Sequence, residues 1–497
     1  MADVLLTHSY HLAYDRKQVR KMQPYPPLGT LYAAAVLRSH GFSVALFDSM
    51  LDDPERGFPA ALARHRPRLV AVYEDNFNFL TKMCLTRMRE IAFRMAEAAR
   101  AAGAKVVVNG SDASDHVADY LARGFDVALL GESEFTLLEL AQSLLGENQR
   151  QLAEISGLAY FDQQQGNIQR TPPRALIREL DTLPFPARDL VEMDRYRRAW
   201  KSAHGFFSLN LVASRGCPYR CNWCAKPIYG DSFHLRSAAS VAEEMRQLKD
   251  DFGAEHLWFA DDIFALKASW AGELANEVER RNARVPFKIQ SRVDLMTPAT
   301  VAALKRAGCE EVWMGVESGS QKILNAMDKG THVEQIGEAR ELLRQHGIHA
   351  GYFLQFGYPG ETWKDIQQTI RLVRRTRPDE VGVSVSYPLP GTKFYDRVRE
   401  EMGTKRNWLD SEDLSVMFQG AYTTEFYRAL RDALHAEVEI WSPKARRESA
   451  RLSQEPCDVS RLPARARALW ARVEAMEQSC RNSEPTLLPV LACSNAV

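Results

Sequence analysis

Twice along the chain, short apolar runs alternate with stretches whose apolar residues recur at helical spacing. This alternation constrains the fold more than any other feature. In the first series the short runs are Val4-Leu5-Leu6, 44–47, 69–73, 106–108 and 127–130. Helical spacing covers 28–40, with Gly41 as its cap, and 81–102, ending at Gly103, and Gly131-Glu132-Ser133-Glu134 opens a further helix. Five strands joined by helices predict an α/β domain over residues 1–145, built on a parallel, doubly wound sheet. Ligands of such sheets bind at the carboxyl ends of the strands. The loops there are Thr7-His8-Ser9, Asp48-Ser49, Glu74-Asp75-Asn76-Phe77-Asn78, Asn109-Gly110-Ser111-Asp112 and Gly131-Glu132-Ser133.

Residues 146–205 read as a linker without chemistry. It holds one hairpin, 157–161 against 167–170 across Gln163-Gln164-Gln165-Gly166. Pro172, Pro173, Pro184 and Pro186 keep the rest extended. The alternation then resumes, with strand runs at 209–213, 256–260, 287–290, 311–316, 350–356 and 380–387. Helical stretches, such as 240–252, 298–307 and 333–345, fill the gaps. Six βα units over residues 206–405 predict a partial barrel, a shortened relative of the eightfold form, with its chemistry at the carboxyl ends of the strands. Residues 406–497 form a helical extension. Within it, 423–441 reads as an amphipathic helix over the barrel mouth. The arginine-rich stretch 444–481 has Leu469, Trp470 and Val473 on an apolar face, as a solvated extension or as a basic clamp for an anionic substrate. A disordered tail is expected after Asn482.

The first strand of the second series delivers Ser214-Arg215-Gly216-Cys217-Pro218-Tyr219-Arg220-Cys221-Asn222-Trp223-Cys224, a C-x3-C-x2-C run. Thiolates are soft ligands that favour iron–sulfur clusters, zinc or copper(I). A four-iron cluster normally takes four cysteines, and this run supplies three, so one iron would keep an open position for a small chelating molecule. A structural zinc would need a fourth ligand, His204 or His234, and the second C-x2-C knuckle of a zinc ribbon is missing. The other cysteines, Cys84, Cys309, Cys457, Cys480 and Cys493, are scattered and read as buried small hydrophobes or idle thiols.

The run resembles the signature of the radical S-adenosylmethionine (SAM) enzymes. Pro26-Pro27-Leu28-Gly29-Thr30-Leu31-Tyr32 and the segment 110–134 resemble the cobalamin-binding domain that precedes many of them. Pro388-Leu389-Pro390-Gly391-Thr392-Lys393-Phe394-Tyr395, Met417-Phe418-Gln419-Gly420 and Thr423-Thr424-Glu425-Phe426-Tyr427 resemble the anaerobic magnesium-protoporphyrin monomethyl ester cyclase group. The resemblance implies that Cys217, Cys221 and Cys224 hold three irons of a [4Fe–4S] cluster. The fourth iron would chelate SAM, and Trp223 would lie against its adenine. A zwitterion needs an acid for its ammonium, a cation for its carboxylate and acceptors for its hydroxyls, and charge-assisted bonds are roughly twice as strong as neutral ones. Asp261, Asp262, Arg292, Glu317, Ser318 and Gly357 stand at strand ends for that work, with Asp261 or Glu317 for the ammonium and Arg292 for the carboxylate. Their plainer reading is as salt-bridged barrel residues, and 357–361 also reads as a helix-capping turn.

For cobalamin the candidates are Glu74, Asp75, Asn76, Gly110, Ser111, Gly131 and Glu132. The D-x-H-x-x-G motif is absent, since Asp115 and His116 are adjacent, so no histidine is expected on the lower face of the cobalt. The implied activity is radical cleavage of SAM and methyl transfer to an unactivated position of a small molecule, with cobalamin carrying the methyl group. An external donor such as flavodoxin or ferredoxin would supply the electron. The alternatives are radical cyclisation or oxidation of a porphyrin-like or other natural-product precursor, transfer of the aminocarboxypropyl arm of SAM, or a cobalamin- or metal-binding sensor.

Lysine plus arginine equals aspartate plus glutamate, 64 each, which argues against a dedicated nucleic-acid binder. That balance, and the lack of a second cysteine trio, also disfavours a tRNA methylthiotransferase. No window approaches the roughly 18 apolar residues of a membrane helix. Met1-Ala2-Asp3-Val4 lacks the regions of a signal peptide, and clustered cysteines suit a reducing cytoplasm.

Overall fold

The computed structural model describes residues 2–83, 85–146, 150–442 and 462–482. Strands β1 (Val4–Thr7), β2 (Val44–Phe47), β3 (Leu69–Tyr73), β4 (Lys105–Asn109) and β5 (Val127–Leu129) form a parallel sheet in the order β2-β1-β3-β4-β5. Alternate residues of each strand feed opposite faces, as the two-residue period requires. Val4, Leu6, Leu69 and Ala71 pack under the helices Leu28–Ser39 and Glu134–Leu145. Leu5, Val70, Val72 and Val106 pack under Gly57–His65 and Thr86–Ala101.

The single helix expected over 81–102 is instead two, Phe79–Lys82 and Thr86–Ala101. Leu85, extended at the N-cap of the second helix, separates them. The hairpin expected across Gln163–Gly166 forms as β6 (Leu158–Asp162) and β7 (Asn167–Arg170). It pairs antiparallel onto β5, so this stretch widens the first sheet to seven strands. Helix Met193–His204 follows and is sewn to the first domain: Trp200 Nε1 donates to the Pro24 carbonyl at 2.6 Å, and the Tyr196 hydroxyl to Asp48 at 2.6 Å.

The second sheet is the expected partial barrel. Its strands are β8 (Ser208–Leu211), β11 (His256–Phe259), β12 (Phe287–Ser291), β13 (Cys309–Glu317), β14 (His349–Phe356) and β15 (Glu380–Val385), all parallel in chain order. The short strands β9 (Ser214–Arg215) and β10 (His234–Leu235) stand apart as a ribbon. Leu257, Phe259, Phe287, Ile289, Val312, Met314, Tyr352 and Leu354 are buried in the core that includes the surrounding helices. Their alternates Trp258, Lys288, Trp313 and Phe353 point the other way, into the barrel, and stay partly exposed. Trp313 lies flat across two glycines: a Cβ on Gly351 would stand 2.5 Å from the indole, and one on Gly382 3.3 Å from it.

Helix Thr424–Trp441, expected over the barrel mouth, has its first turn there, where Tyr427 would stand 3.2 Å from a Cβ on Gly357 just past β14. It runs beside β15, held at its far end by Trp441 Nε1 donating to the Pro378 carbonyl, just before that strand begins. Helix Ala464–Asn482 docks on it: Trp470 and Val473 are buried, and Trp470 Nε1 donates to Glu437 at 2.6 Å. The arginine-rich stretch is therefore a packed helix over these residues, while 443–461 and the tail from 483 lie outside the described residues. No helix among the described residues is long and apolar enough to cross a membrane.

Candidate active site

Beyond β8 the chain enters the cysteine loop, closed by antiparallel pairing of β9 with β10. Gly216 turns it with φ of 81°, and a Cβ there would stand 2.3 Å from the Ser232 carbonyl oxygen, so only glycine fits. Lys226 reaches back and donates to the carbonyls of Cys217 at 2.9 Å and Tyr219 at 2.5 Å. Asn222 donates to the Ala326 carbonyl at 2.8 Å and to Asp328 at 3.0 Å, and accepts from the Tyr358 hydroxyl at 2.8 Å. One side chain thus ties the loop to the turns that follow β13 and β14. The three thiols are half-buried. Among the described residues, no three His, Cys, Asp or Glu side chains converge as ligands of a single ion. A cubane seats its cysteines on different irons and needs no such convergence.

The strand-end residues divide into two groups. Asp261 and Ser318 are built into the framework. Asp261 accepts from the Ala213 amide at 3.0 Å and the Ser214 hydroxyl at 2.5 Å, and burial pushes its carboxyl up to about 7. Ser318 shares a hydrogen bond with the Thr369 hydroxyl at 3.2 Å. The neighbouring Gly319 lets helix Trp363–Thr376 approach, since a Cβ there would stand 2.6 Å from the Gln368 carbonyl oxygen.

The second group faces the cysteine loop. Asp262 is exposed and close enough to Cys217 for its charge to act on the thiol. The guanidinium of Arg292 lies 3.7 Å above the Tyr219 ring, bonds both Asp294 oxygens at 2.9 and 3.2 Å, and sets Nη1 4.0 Å from the Cys221 sulfur. Glu317 sits where the register of β13 against β14 slips, with φ of 60°, and accepts from Lys329 Nζ at 2.7 Å. Trp223 rests on a cluster that includes Tyr358 and Phe394, and its buried Nε1 has no partner among the described residues. The Gly357 amide donates to Glu361 at 2.7 Å. Burial pushes the Glu361 carboxyl up to about 8, and its second oxygen and the nearby Tyr427 hydroxyl have no partner among the described residues.

At the first sheet, Glu74 accepts from the Ser9 amide at 3.1 Å and Asp75 from the Gly29 amide at 2.9 Å, and burial raises both carboxyls. Asn76 donates to Asn109 at 2.6 Å, which leaves its Oδ1 unpartnered among the described residues, as is the buried Ser111 hydroxyl. A Cβ on Gly110 would stand 2.8 Å from the Glu74 side chain, and one on Gly131 would face the Ile228 carbonyl of the cysteine loop at 3.7 Å. Glu132 does not face an open cleft. It accepts from Arg215 at 2.5 Å and from the Ile177 amide at 2.6 Å. His116 sits 3.8 Å from both Asp112 and Asp119. Of the two histidines considered for zinc, His204 lies against the carbonyls of Lys21 and Met22, each at 3.0 Å, and His234 pairs with Arg215 in the ribbon.

Sequence reasoning missed Lys226, Lys329 and the role of Arg215. The first two are lone lysines in turns, which carry no pattern. Arg215 had a signal, an arginine at the exit of an otherwise apolar strand. Cys309 is buried and Cys480 half-buried, while Cys84, Cys457 and Cys493 lie outside the described residues.

Residues 211–373 match the radical SAM superfamily model, and residues 22–141 match the B12 binding domain model. An uncharacterised methyltransferase of Pyrococcus horikoshii is 27% identical over 424 residues, which are 81% of this chain and 88% of that protein. The hopanoid C-3 methylase of Methylococcus capsulatus is 25% identical over 434 residues, 86% of this chain and 78% of the methylase. The solved structure of the cobalamin-dependent S-adenosylmethionine radical enzyme OxsB superposes with a TM-score of 0.68 at 17% identity, covering 97% of this chain and 72% of that one. At that identity the likeness is one of fold.

Proposed function

This chain is an enzyme that joins a B12-binding domain to a radical SAM domain, and from that premise we propose that it methylates an unactivated position of a small molecule. Its cofactors are a [4Fe–4S] cluster, SAM and cobalamin. When bound, the cluster supplies the electron that splits SAM, and cobalamin supplies a methyl carrier.

The residues present fit these groups. Cys217, Cys221 and Cys224 would hold the cluster: three half-buried thiols on one braced loop, with the Arg292 cation beside Cys221. The unpartnered Trp223 Nε1 suits a heteroaromatic ring with an acceptor at its edge. Asp262, Arg292 and Glu317 would orient the zwitterionic end of SAM, with Lys329 holding the Glu317 carboxylate in place. The unpartnered Asn76 Oδ1 and Ser111 Oγ, at the carboxyl ends of β3 and β4, suit a corrin rim rich in amide groups. An external donor such as flavodoxin or ferredoxin would deliver the electron.

The observation that carries the reading is the meeting of the two sets of strand ends. The loop after β3 touches the cysteine loop through Phe77 stacked on Tyr229, 5.6 Å apart, and the loop after β5 touches it through Glu132 and Arg215. Ligands held at both sets of ends would therefore be neighbours. The test is to incubate the reduced, reconstituted protein with SAM and identify what SAM becomes. S-adenosylhomocysteine alongside 5′-deoxyadenosine supports methylation. 5′-Deoxyadenosine alone would turn the reading to cyclisation or oxidation, and methylthioadenosine to transfer of the amino-acid arm.

A further inference from the structure

Arg215 stands two residues ahead of Cys217 and belongs physically to both domains. Its guanidinium is buried. Nη1 donates to Glu132 at 2.5 Å and Nη2 lies 2.8 Å from Glu134, both on the B12-binding domain. Three rings enclose it: Tyr32 and Phe77 of that domain, at 5.1 and 5.5 Å, and Tyr229 of the cysteine loop, at 5.5 Å. One cation is thus hydrogen-bonded to Glu132 and in charge contact with Glu134. From Arg215 the chain passes through Gly216, the turn blocked by the Ser232 carbonyl, straight to the first cysteine. On its other side the backbone is paired with His234 in the ribbon. A displacement of the guanidinium would pass to Cys217 with little slack.

We propose that Arg215 is a positioning residue that fixes the cysteine loop against the B12-binding domain and so sets the separation of cluster and cobalamin. The proposal rests on the reading that both cofactors bind. Transfer between two bound groups depends steeply on their placement, because reacting atoms must be held near contact distance. A lysine at this position keeps the charge. It loses the planar fork that reaches two carboxylates and the flat face that meets the rings.

The test compares the full-length wild type with Arg215→Lys and with the double variant Glu132→Gln/Glu134→Gln, whose cysteine loop is intact. Iron and cobalamin contents are measured first. Pulsed electron paramagnetic resonance then reads the dipolar coupling between the reduced cluster and cob(II)alamin. The expected result is a single narrow distance in the wild type. Both variants should show a distribution at least about twofold broader, with cofactor contents unchanged. The same distance and width in all three proteins overturns the proposal. So does loss of both cofactors from both variants, which would make the arginine a folding element only. Should Arg215→Lys alone fail to assemble its cluster, the double variant gives the reading. A wild type that takes up iron without cobalamin would sink the functional reading. In that case hydrogen exchange over residues 214–235 decides the grip by itself: faster exchange in Glu132→Gln/Glu134→Gln upholds it, and unchanged exchange overturns it.

Discussion

Glu317 Oε1 and Lys329 Nζ lie 2.7 Å apart, both almost fully buried, in the turn region behind β13. Gly315 makes the pair possible. A Cβ at that position would stand 2.6 Å from the ammonium and 2.7 Å from the carboxylate. Burial works against the Lys329 charge, and the Glu317 carboxylate is the main attraction that keeps it protonated.

Removing one partner strands the other. Lys329→Met leaves a buried carboxylate without a cation and is expected to destabilise the fold by about 3–5 kcal/mol. Lys329→Met combined with Glu317→Gln removes both charges and is expected to recover most of that loss. Urea unfolding of the two single variants and the double variant checks this. Equal destabilisation by the single and double changes would contradict the pairing.

Glu361 makes stability depend on pH. Its carboxyl is raised by burial to about 8 from an ordinary value of 4.5, so the folded state holds the proton more tightly than the unfolded chain does. Its contribution is complete below pH 4.5 and is lost as pH rises towards 8. Glu361→Gln keeps the neutral shape and cannot ionise. It is expected to match the wild type in urea midpoint near pH 5 and to exceed it near pH 8. A variant no more stable than the wild type at the higher pH would show that burial does not raise the Glu361 carboxyl.

Much of this was legible in the sequence. A period of two set against a period of three to four placed the strands of both sheets, because each buried face must be apolar whatever the ligand. The cysteine spacing, also a local pattern, marked out the loop that follows β8. Long-range partners were not legible. Asp261 and Glu132 carry the acidic character a ligand site needs, yet one bolts β8 to β11 and the other grips Arg215. Sequence shows that a carboxylate is present and not which cation or amide folds back onto it. The path of helix Thr424–Trp441 was likewise set by packing beside β15 and not by its own amphipathic pattern.

Arg292 is held ready beside the cysteine loop by Asp294 and by the face of Tyr219. Arg292→Lys keeps a charge and loses both the bidentate bond and the stacking. It is expected to weaken SAM binding to the reconstituted protein about tenfold, roughly 1.4 kcal/mol. Isothermal calorimetry reads the affinity, and wild-type affinity in the variant would remove Arg292 from the SAM site.

The central claim is a cluster anchored by three cysteines with one iron left for SAM. It is met most directly by electron paramagnetic resonance of the reduced, anaerobically reconstituted protein before and after SAM is added, with iron counted in the same samples. The account predicts about four irons per chain, a cluster signal that changes when SAM binds, and neither iron nor signal in Cys221→Ala. A signal indifferent to SAM, or an iron content unchanged in Cys221→Ala, would contradict it.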